Sequence, residues 1–149
     1  GALMILFSLA CSATRVGWSE ALQAERGGGT LPLEGVFFAV MSNPFNIRGR
    51  ESIRRTWIRR IAALGAQYKF FIGNEGLVER FFEQESDVSD IVRLYGNWDN
   101  SSHQTFKTQA AAHWVLKNVE RMRYMVKINE DVLPVAENFL KILPNLPER

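Results

Sequence analysis

Short apolar runs alternate with stretches of helical periodicity over most of the chain. Four runs have the length and apolar content of buried strands, and they cover residues 36–41, 68–72, 90–94 and 124–128. A run that is apolar on both faces is typical of a strand inside a parallel sheet. The alternation therefore predicts an α/β fold, a mostly parallel sheet with flanking helices.

The stretches between these runs predict the helices. Residues 47–64 have apolar side chains at helical spacing with arginines mostly between them, and Gly65 is placed to end this helix. Three further helices are predicted over residues 77–82, 101–119 and 135–143.

The first 34 residues have a different character. Residues 1–13 are almost wholly apolar, but a spanning helix needs about 20 apolar residues. We expect the end of a signal-anchor or part of a signal peptide, with a loosely packed helix as the alternative. Residues 14–34 are polar and contain three consecutive glycines, which predicts a stem or linker before a folded domain at 35–149.

Composition narrows the possible functions. The chain has 149 residues, of which 46% are hydrophobic and 23% charged, a globular profile. Its net charge of +2 is too small to indicate a nucleic-acid partner. The single cysteine, Cys11, allows neither an internal disulfide nor a cysteine-based zinc site. The sequence contains no phosphate-binding P-loop, no dinucleotide fingerprint and no hydrolase nucleophile elbow.

Ligands of such sheets bind at the carboxyl ends of the strands. One candidate there is the acidic tip, which we define as Asn129, Glu130 and Asp131 after the fourth predicted strand. Its oxygen ligands suit Mg²⁺ or Mn²⁺, which would offset the charge of a diphosphate. The same residues also fit an ordinary acidic start of the next helix.

A second candidate is the arginine-rich helix that follows the first predicted strand. Arg50 and Arg54 are four residues apart, share a helix face and lie near its start, where anions are favoured. Their guanidinium groups match phosphate oxygens, although a solvated face explains a basic helix equally well. The six arginines are Arg48, Arg50, Arg54, Arg55, Arg59 and Arg60.

These pieces, taken in order, resemble the β-1,3-glycosyltransferase family that includes galactosyl- and N-acetylglucosaminyltransferases and, more distantly, the fringe enzymes. The resemblance covers residues 36–143 and is carried by six spaced blocks. These blocks are Val40-Met41-Ser42 with Arg50 to Trp57, Phe70 to Gly73, Glu85 with Asp90-Ile91, Asp99 with Lys107-Thr108, Trp114, and Lys127 to Val132.

The resemblance implies a GT-A fold, a UDP-sugar donor, Mn²⁺, inversion at the anomeric carbon and a β-1,3 linkage. By position, Asp131 would bind the metal, Asn129 and Glu130 would face the ribose and the donor sugar, and Arg50 and Arg54 would lie beside the nucleotide. It also implies UDP-galactose or UDP-N-acetylglucosamine as donor, a glycan acceptor, and a role in protein glycosylation. A type II anchor in the Golgi membrane with a luminal domain would fit the apolar start.

The sequence departs from the family pattern at the tip. Asn129 and Glu130 stand where the family has two Asp residues, so one charge is lost and another sits on a longer arm. The block that supplies the family's general base is expected beyond Arg149, so we expect a sheet incomplete at its C-terminal side and name no catalytic residue.

Two alternatives stay open. A catalytically inactive relative would bind a nucleotide or another protein. A nucleic-acid binder is supported only by the arginine cluster.

Overall fold

A computed structural model describes residues 3–6, 31–74, 83–85, 87–95 and 103–146 of the chain. Strands and helices alternate along it. The strands are β1 (Leu3–Leu6), β2 (Val36–Met41), β3 (Gln67–Asn74), β4 (Ile91–Tyr95) and β5 (Tyr124–Asn129). The helices are α1 (Ile47–Ile53), a π-helical segment (Arg54–Ile58), α2 (Arg59–Ala63), α3 (Gln104–Asn118), α4 (Ala136–Ile142) and a 3₁₀ turn (Leu143–Asn145).

The five described strands form one parallel sheet in the order β1-β5-β2-β3-β4. The chain moves outward from β2 through β3 to β4, and then returns to place β5 on the other side of β2. The direction of winding therefore reverses between β2 and β5. In open α/β sheets this reversal opens a crevice at the carboxyl ends of the two strands.

Strand β2 is buried on both faces, as its apolar run predicts. Phe38 and Val40 point toward the helical stretch 47–63 and α4, while Phe37, Ala39 and Met41 point toward α3. All six β2 residues are buried. The sheet therefore lies between two helical layers, and β2 forms the centre of both hydrophobic cores.

The predicted helix 47–64 is present but is not uniform. Its middle turn, Arg54–Ile58, is π-helical, and Thr56 Oγ1 donates to the carbonyl of Ser52 at 2.7 Å. Gly65 ends it with φ of +90°, as predicted, and a Cβ there would lie 2.7 Å from Cβ of Leu31.

The four predicted strands are confirmed within three residues at each end, and the last two predicted helices correspond to α3 and α4. The residues just before the predicted domain start are packed as well. Leu33 is fully buried and its N–H donates to the carbonyl of Leu64 at 2.8 Å, so packing begins within the predicted linker. Leu3–Leu6, from the predicted anchor segment, pairs with β5 as an edge strand.

Other predicted features lie outside the described residues. They are the remainder of the apolar segment with Cys11, the linker up to residue 30, the helix at 77–82, and Asp99. Among the helices that the structure describes, none has the length and apolar character needed to span a membrane. The membrane anchor stays a prediction.

Replacing Phe38 by Ala tests the two-layer core. The Phe38 ring is fully buried, with ring centres of Trp57 at 6.2 Å and Phe139 at 5.2 Å. We expect F38A to lower the free energy of unfolding by about 3–5 kcal/mol in chemical denaturation, because it leaves a cavity. Phe106→Ala, at a side chain that is 60% exposed, should change it by only about 0.5 kcal/mol or less. Equal losses in the two variants would contradict this packing.

Candidate functional site

The candidate site lies at the carboxyl ends of β2 and β5. These strands end level with each other, because Met41 pairs with Asn129, and the N–H of Glu130 donates to the Met41 carbonyl at 3.1 Å. Ser42 and Asn43 therefore stand beside the acidic tip across the crevice where the winding reverses. This is the position in which an open parallel sheet binds its ligand.

Arg50 holds the loop that follows β2. Its side chain is fully buried, and its five N–H groups meet five protein acceptors. Two contact the carboxylate of Glu85 at 2.8 and 2.7 Å. The others donate to Oγ of Ser42 at 2.9 Å and to the carbonyls of Asn43 and Pro44 at 2.6 and 3.0 Å. The loop is thus fixed from beneath by one saturated guanidinium.

Arg54 extends this ion pair toward β3 and β4. It donates to both carboxylate oxygens of Asp90 at 2.9 and 2.7 Å and lies 2.9 Å from Oε1 of Glu85. Its guanidinium carbon is 5.1 Å from the ring centre of Phe70, and the Tyr68 hydroxyl donates to Asp90 at 2.8 Å. Two arginines thus balance two buried carboxylates, which a buried ionic cluster requires.

The surroundings shift two pKa values in this cluster. Burial acts to lower the pKa of Arg54, but the hydrogen bond and charge of Asp90, with those of Glu85, outweigh it and raise the pKa. Burial, followed by the hydrogen bond to Asp90, raises the pKa of the Tyr68 phenol. Both shifts keep the cluster in the protonation state that its geometry requires.

Ser42 connects the buried cluster to the tip. Its hydroxyl accepts from Arg50 and donates to Oε2 of Glu130 at 2.5 Å, and the N–H of Asn43 donates to Oε1 of Glu130 at 3.2 Å. The Ser42 carbonyl accepts from Nζ of Lys107, a buried lysine of α3, at 2.7 Å. Elements far apart in sequence therefore meet at one buried serine.

The outer part of the tip is open to solvent. Asn129 and Asp131 are exposed, whereas Glu130 is half-buried against Ser42. Nζ of Lys127, two residues before the strand ends, donates to Oδ1 of Asn129 at 2.7 Å. Asp131 therefore offers the exposed carboxylate, while both oxygens of Glu130 accept hydrogen bonds from the β2 loop.

The structure gives the two predicted arginines a role within the protein itself. All five N–H groups of Arg50 have acceptors within the protein, so Arg50 positions the loop, and its predicted nucleotide contact stays a prediction. Arg54 is likewise engaged by carboxylates, and its buried Nη1 is the one buried side-chain nitrogen or oxygen without an acceptor within the described ranges. Nucleotide contacts by Asn129, Glu130 and Asp131 stay predictions.

The remaining arginines of the helix, namely Arg48, Arg55, Arg59 and Arg60, are exposed. Two of the six predicted basic side chains are thus committed to buried ion pairs and do not add to a basic surface.

The tip offers hard oxygen ligands but not a complete metal cage. In the part of the chain that the structure describes, no three His, Cys, Asp or Glu side chains come together to hold a metal. Mn²⁺ and Mg²⁺ in nucleotide sites commonly use one or two carboxylates, with the phosphates supplying further ligands. A single exposed carboxylate at Asp131 fits a metal that arrives with a diphosphate.

Sequence reasoning assigned no role to three residues that organise the site. These residues are Ser42, Glu85 and Lys107, which lie in the motif blocks, but the sequence does not show that their polar side chains are buried. For Ser42 and Lys107 the available signal was a polar residue that continues an apolar strand or helix face, since such a residue needs a partner when it is buried. Glu85 lies in a polar stretch, and its neighbours in the sequence carry no such signal.

A cavity of about 350 Å³ lies at the opposite end of the sheet. It is lined mainly by the first residues of β2 and β3 and the last turn of α3. Its lining residues are Phe37, Ala62, Ala66, Gln67, Tyr68, Lys69, Trp114, Asn118 and Val119. No member of the buried ionic cluster except Tyr68 reaches it, and it is remote from the winding reversal.

Fold and site together define a Rossmann-like α/β protein, consistent with a GT-A fold, with a crevice at the carboxyl ends of β2 and β5. The model of the Galactosyltransferase family matches residues 48–148. The chain belongs to the Galactosyltransferase family.

Known relatives agree with this assignment. The chain is 30% identical over 115 residues to human UDP-GalNAc:beta-1,3-N-acetylgalactosaminyltransferase 1, and 29% identical over 122 residues to the rat protein of that name. Each match covers 72% of this chain and 34% of the relative, so the chain spans about a third of the length of these proteins. No solved structure matches the chain significantly.

Replacing Glu85 by Gln tests whether the ionic cluster holds the site. The change keeps the shape of the side chain but removes the negative charge between Arg50 and Arg54. It also places an amide N–H donor against the N–H donors of the two guanidinium groups. We expect E85Q to lower the free energy of unfolding by about 3–5 kcal/mol. The control Glu83→Gln changes an exposed side chain two residues away and should cost about 0.5 kcal/mol or less. A small loss in E85Q would show that the pair is dispensable.

The raised pKa of Tyr68 predicts a pH dependence. The unfolded chain releases this phenol proton near its ordinary pKa of about 10, whereas the folded chain retains it. The stabilisation is therefore complete below pH of about 10 and is lost as the pH rises further. Tyr68→Phe should flatten the fall in unfolding free energy above that pH. If the unfolding free energies of Y68F and wild type fall in parallel above that pH, Tyr68 is not held by Asp90. Tyr95→Phe, at an exposed side chain, serves as control.

Proposed function

We propose that this chain is the donor-nucleotide part of a glycosyltransferase that binds a UDP-sugar at the carboxyl ends of β2 and β5. The observation that carries the proposal is the placement of an exposed carboxylate, Asp131, beside a loop that buried charges hold rigid. Family membership and the winding reversal at the same point support it.

The residues of this chain would divide the work between holding and binding. Arg50, Ser42 and Glu130 keep the two strand ends together, so that the crevice does not have to form when the ligand arrives. Asn129 would accept a hydrogen bond from a ribose hydroxyl, and Asp131 would be the protein ligand of Mn²⁺. When bound, the metal would offset the charge of the diphosphate leaving group.

The complete reaction extends this proposal. We infer transfer of galactose or an N-acetylhexosamine from UDP to a glycan acceptor, with inversion and a β-1,3 linkage. The names of the rat and human relatives specify UDP-GalNAc, which adds that donor to UDP-galactose and UDP-N-acetylglucosamine. We also propose a Golgi membrane protein with a luminal domain.

A binding module without transferase activity is the second candidate. Two observations favour it, namely the neutral Asn129 and the engagement of both Glu130 oxygens by the β2 loop. Both candidates bind UDP, but only the first releases UDP from a UDP-sugar when a glycan acceptor is supplied to a protein that joins this chain to the remaining part of a transferase domain. Acceptor-dependent UDP release from each of the three donors therefore separates them.

The change Asp131→Asn tests the nucleotide site itself. In calorimetry, we expect the folded chain to bind UDP more tightly with Mn²⁺ than without it. D131N should reduce the affinity in Mn²⁺ at least about tenfold, because the metal loses its charged protein ligand. Glu120→Gln removes an exposed carboxylate just before β5, at the other end of the sheet, and should leave the affinity unchanged. Absence of heat at millimolar UDP with a folded chain would refute the nucleotide site.

A further inference from the structure

Lys127 brings a positive charge to the tip. Its Nζ reaches Oδ1 of Asn129 at 2.7 Å, so the ammonium lies at the carboxyl end of β5. Side chains two apart on a strand share a face, which places Lys127 and Asn129 on the same side of the sheet. The ammonium therefore contacts Asn129, which lies two residues before Asp131, the carboxylate proposed to meet the metal.

No carboxylate neutralises this charge in the described part of the chain. The ion pairs found there involve Arg50, Arg54 and Arg55, and none includes Lys127. The cross-strand partners of Lys127 are Ala39 and Leu6, which carry no charge. Its hydrogen-bond acceptor at the tip is a neutral amide, which orients the ammonium without cancelling its field.

Lys127 offsets part of the negative charge of the tip. Lys127 carries one positive charge, whereas Glu130 and Asp131 carry one negative charge each, and the two hydrogen bonds that Glu130 accepts from neutral donors of the β2 loop leave its charge in place. An acidic residue at position 129 would have paired with Lys127 and made the tip negative by one more charge. A diphosphate approaching such a tip would depend more strongly on a divalent cation.

We propose that Lys127, oriented by Asn129, is a phosphate-binding residue that lets this chain hold a nucleoside diphosphate without a metal, with Mn²⁺ adding a moderate increment. The inference rests on the proposed function, because it concerns the same crevice. Asn129 is then a specificity-determining residue for metal dependence, and its amide serves to leave the lysine charge available.

The variant Asn129→Asp tests this with little change of shape. The new carboxylate would take the place of the amide oxygen 2.7 Å from Nζ and neutralise Lys127. We expect N129D to weaken UDP binding in EDTA about three- to tenfold and to increase the ratio of affinities with and without Mn²⁺. Lys127→Gln should weaken binding in EDTA similarly. Lys117→Gln, an exposed lysine in the last turn of α3, is the matched control and should have no effect.

Calorimetry on the four proteins, with folding checked by thermal melting, gives distinct outcomes. The inference is supported if wild type binds UDP measurably in EDTA and if this affinity is lower in N129D and K127Q but not in K117Q. If wild type binds UDP only with Mn²⁺, or if both variants retain its affinity in EDTA, the inference is overturned while the proposed function stands. If the folded chain binds UDP in neither condition, both fail.

Discussion

The bidentate ion pair between Arg50 and Glu85 is the interaction on which the site depends. Both side chains are fully buried, and the remaining N–H groups of Arg50 hold the loop after β2. Loss of either charge would leave the other buried and unpaired, which is more costly than the net contribution of the pair. Two of the six helix arginines belong to this cluster, where they form ion pairs within the protein and do not face solvent.

Hydrogen bonds connect this ion pair to the ends of β2 and β5. Ser42 accepts from Arg50 and donates to Glu130, so the ends of β2 and β5 are joined by side chains as well as by the sheet. The outer residues Lys127, Asn129 and Asp131 remain for a ligand. Buried charges fix the crevice, and the exposed charges are the ones proposed to recognise the ligand, a division that matches the preorganisation that binding sites for charged groups require.

Much of the fold follows from sequence, because continuous apolar runs and helical spacing are local signals. Strand β2 is apolar at every position, which is typical of a central strand of a parallel sheet. The roles of Arg50 and Arg54 could not be predicted in the same way. A helix face shows which residues are neighbours, but Glu85 and Asp90 lie more than 30 positions away, and only folding brings them against the arginines. Likewise, the sequence shows Asn129 only as a neutral residue at a position where the family has Asp, and its contact with Lys127 is seen only in the structure.

Paramagnetic broadening by Mn²⁺ in the amide spectrum of the isotope-labelled chain tests the central claim most directly. With UDP present, we expect substoichiometric Mn²⁺ to broaden the amide signals of Asn43, Glu130 and Asp131 first. Signals of Tyr68 and Trp114, beside the cavity at the other end of the sheet, should stay sharp. Broadening centred on that cavity, or no selective broadening at the ends of β2 and β5, would rule out a metal and nucleotide site at this crevice.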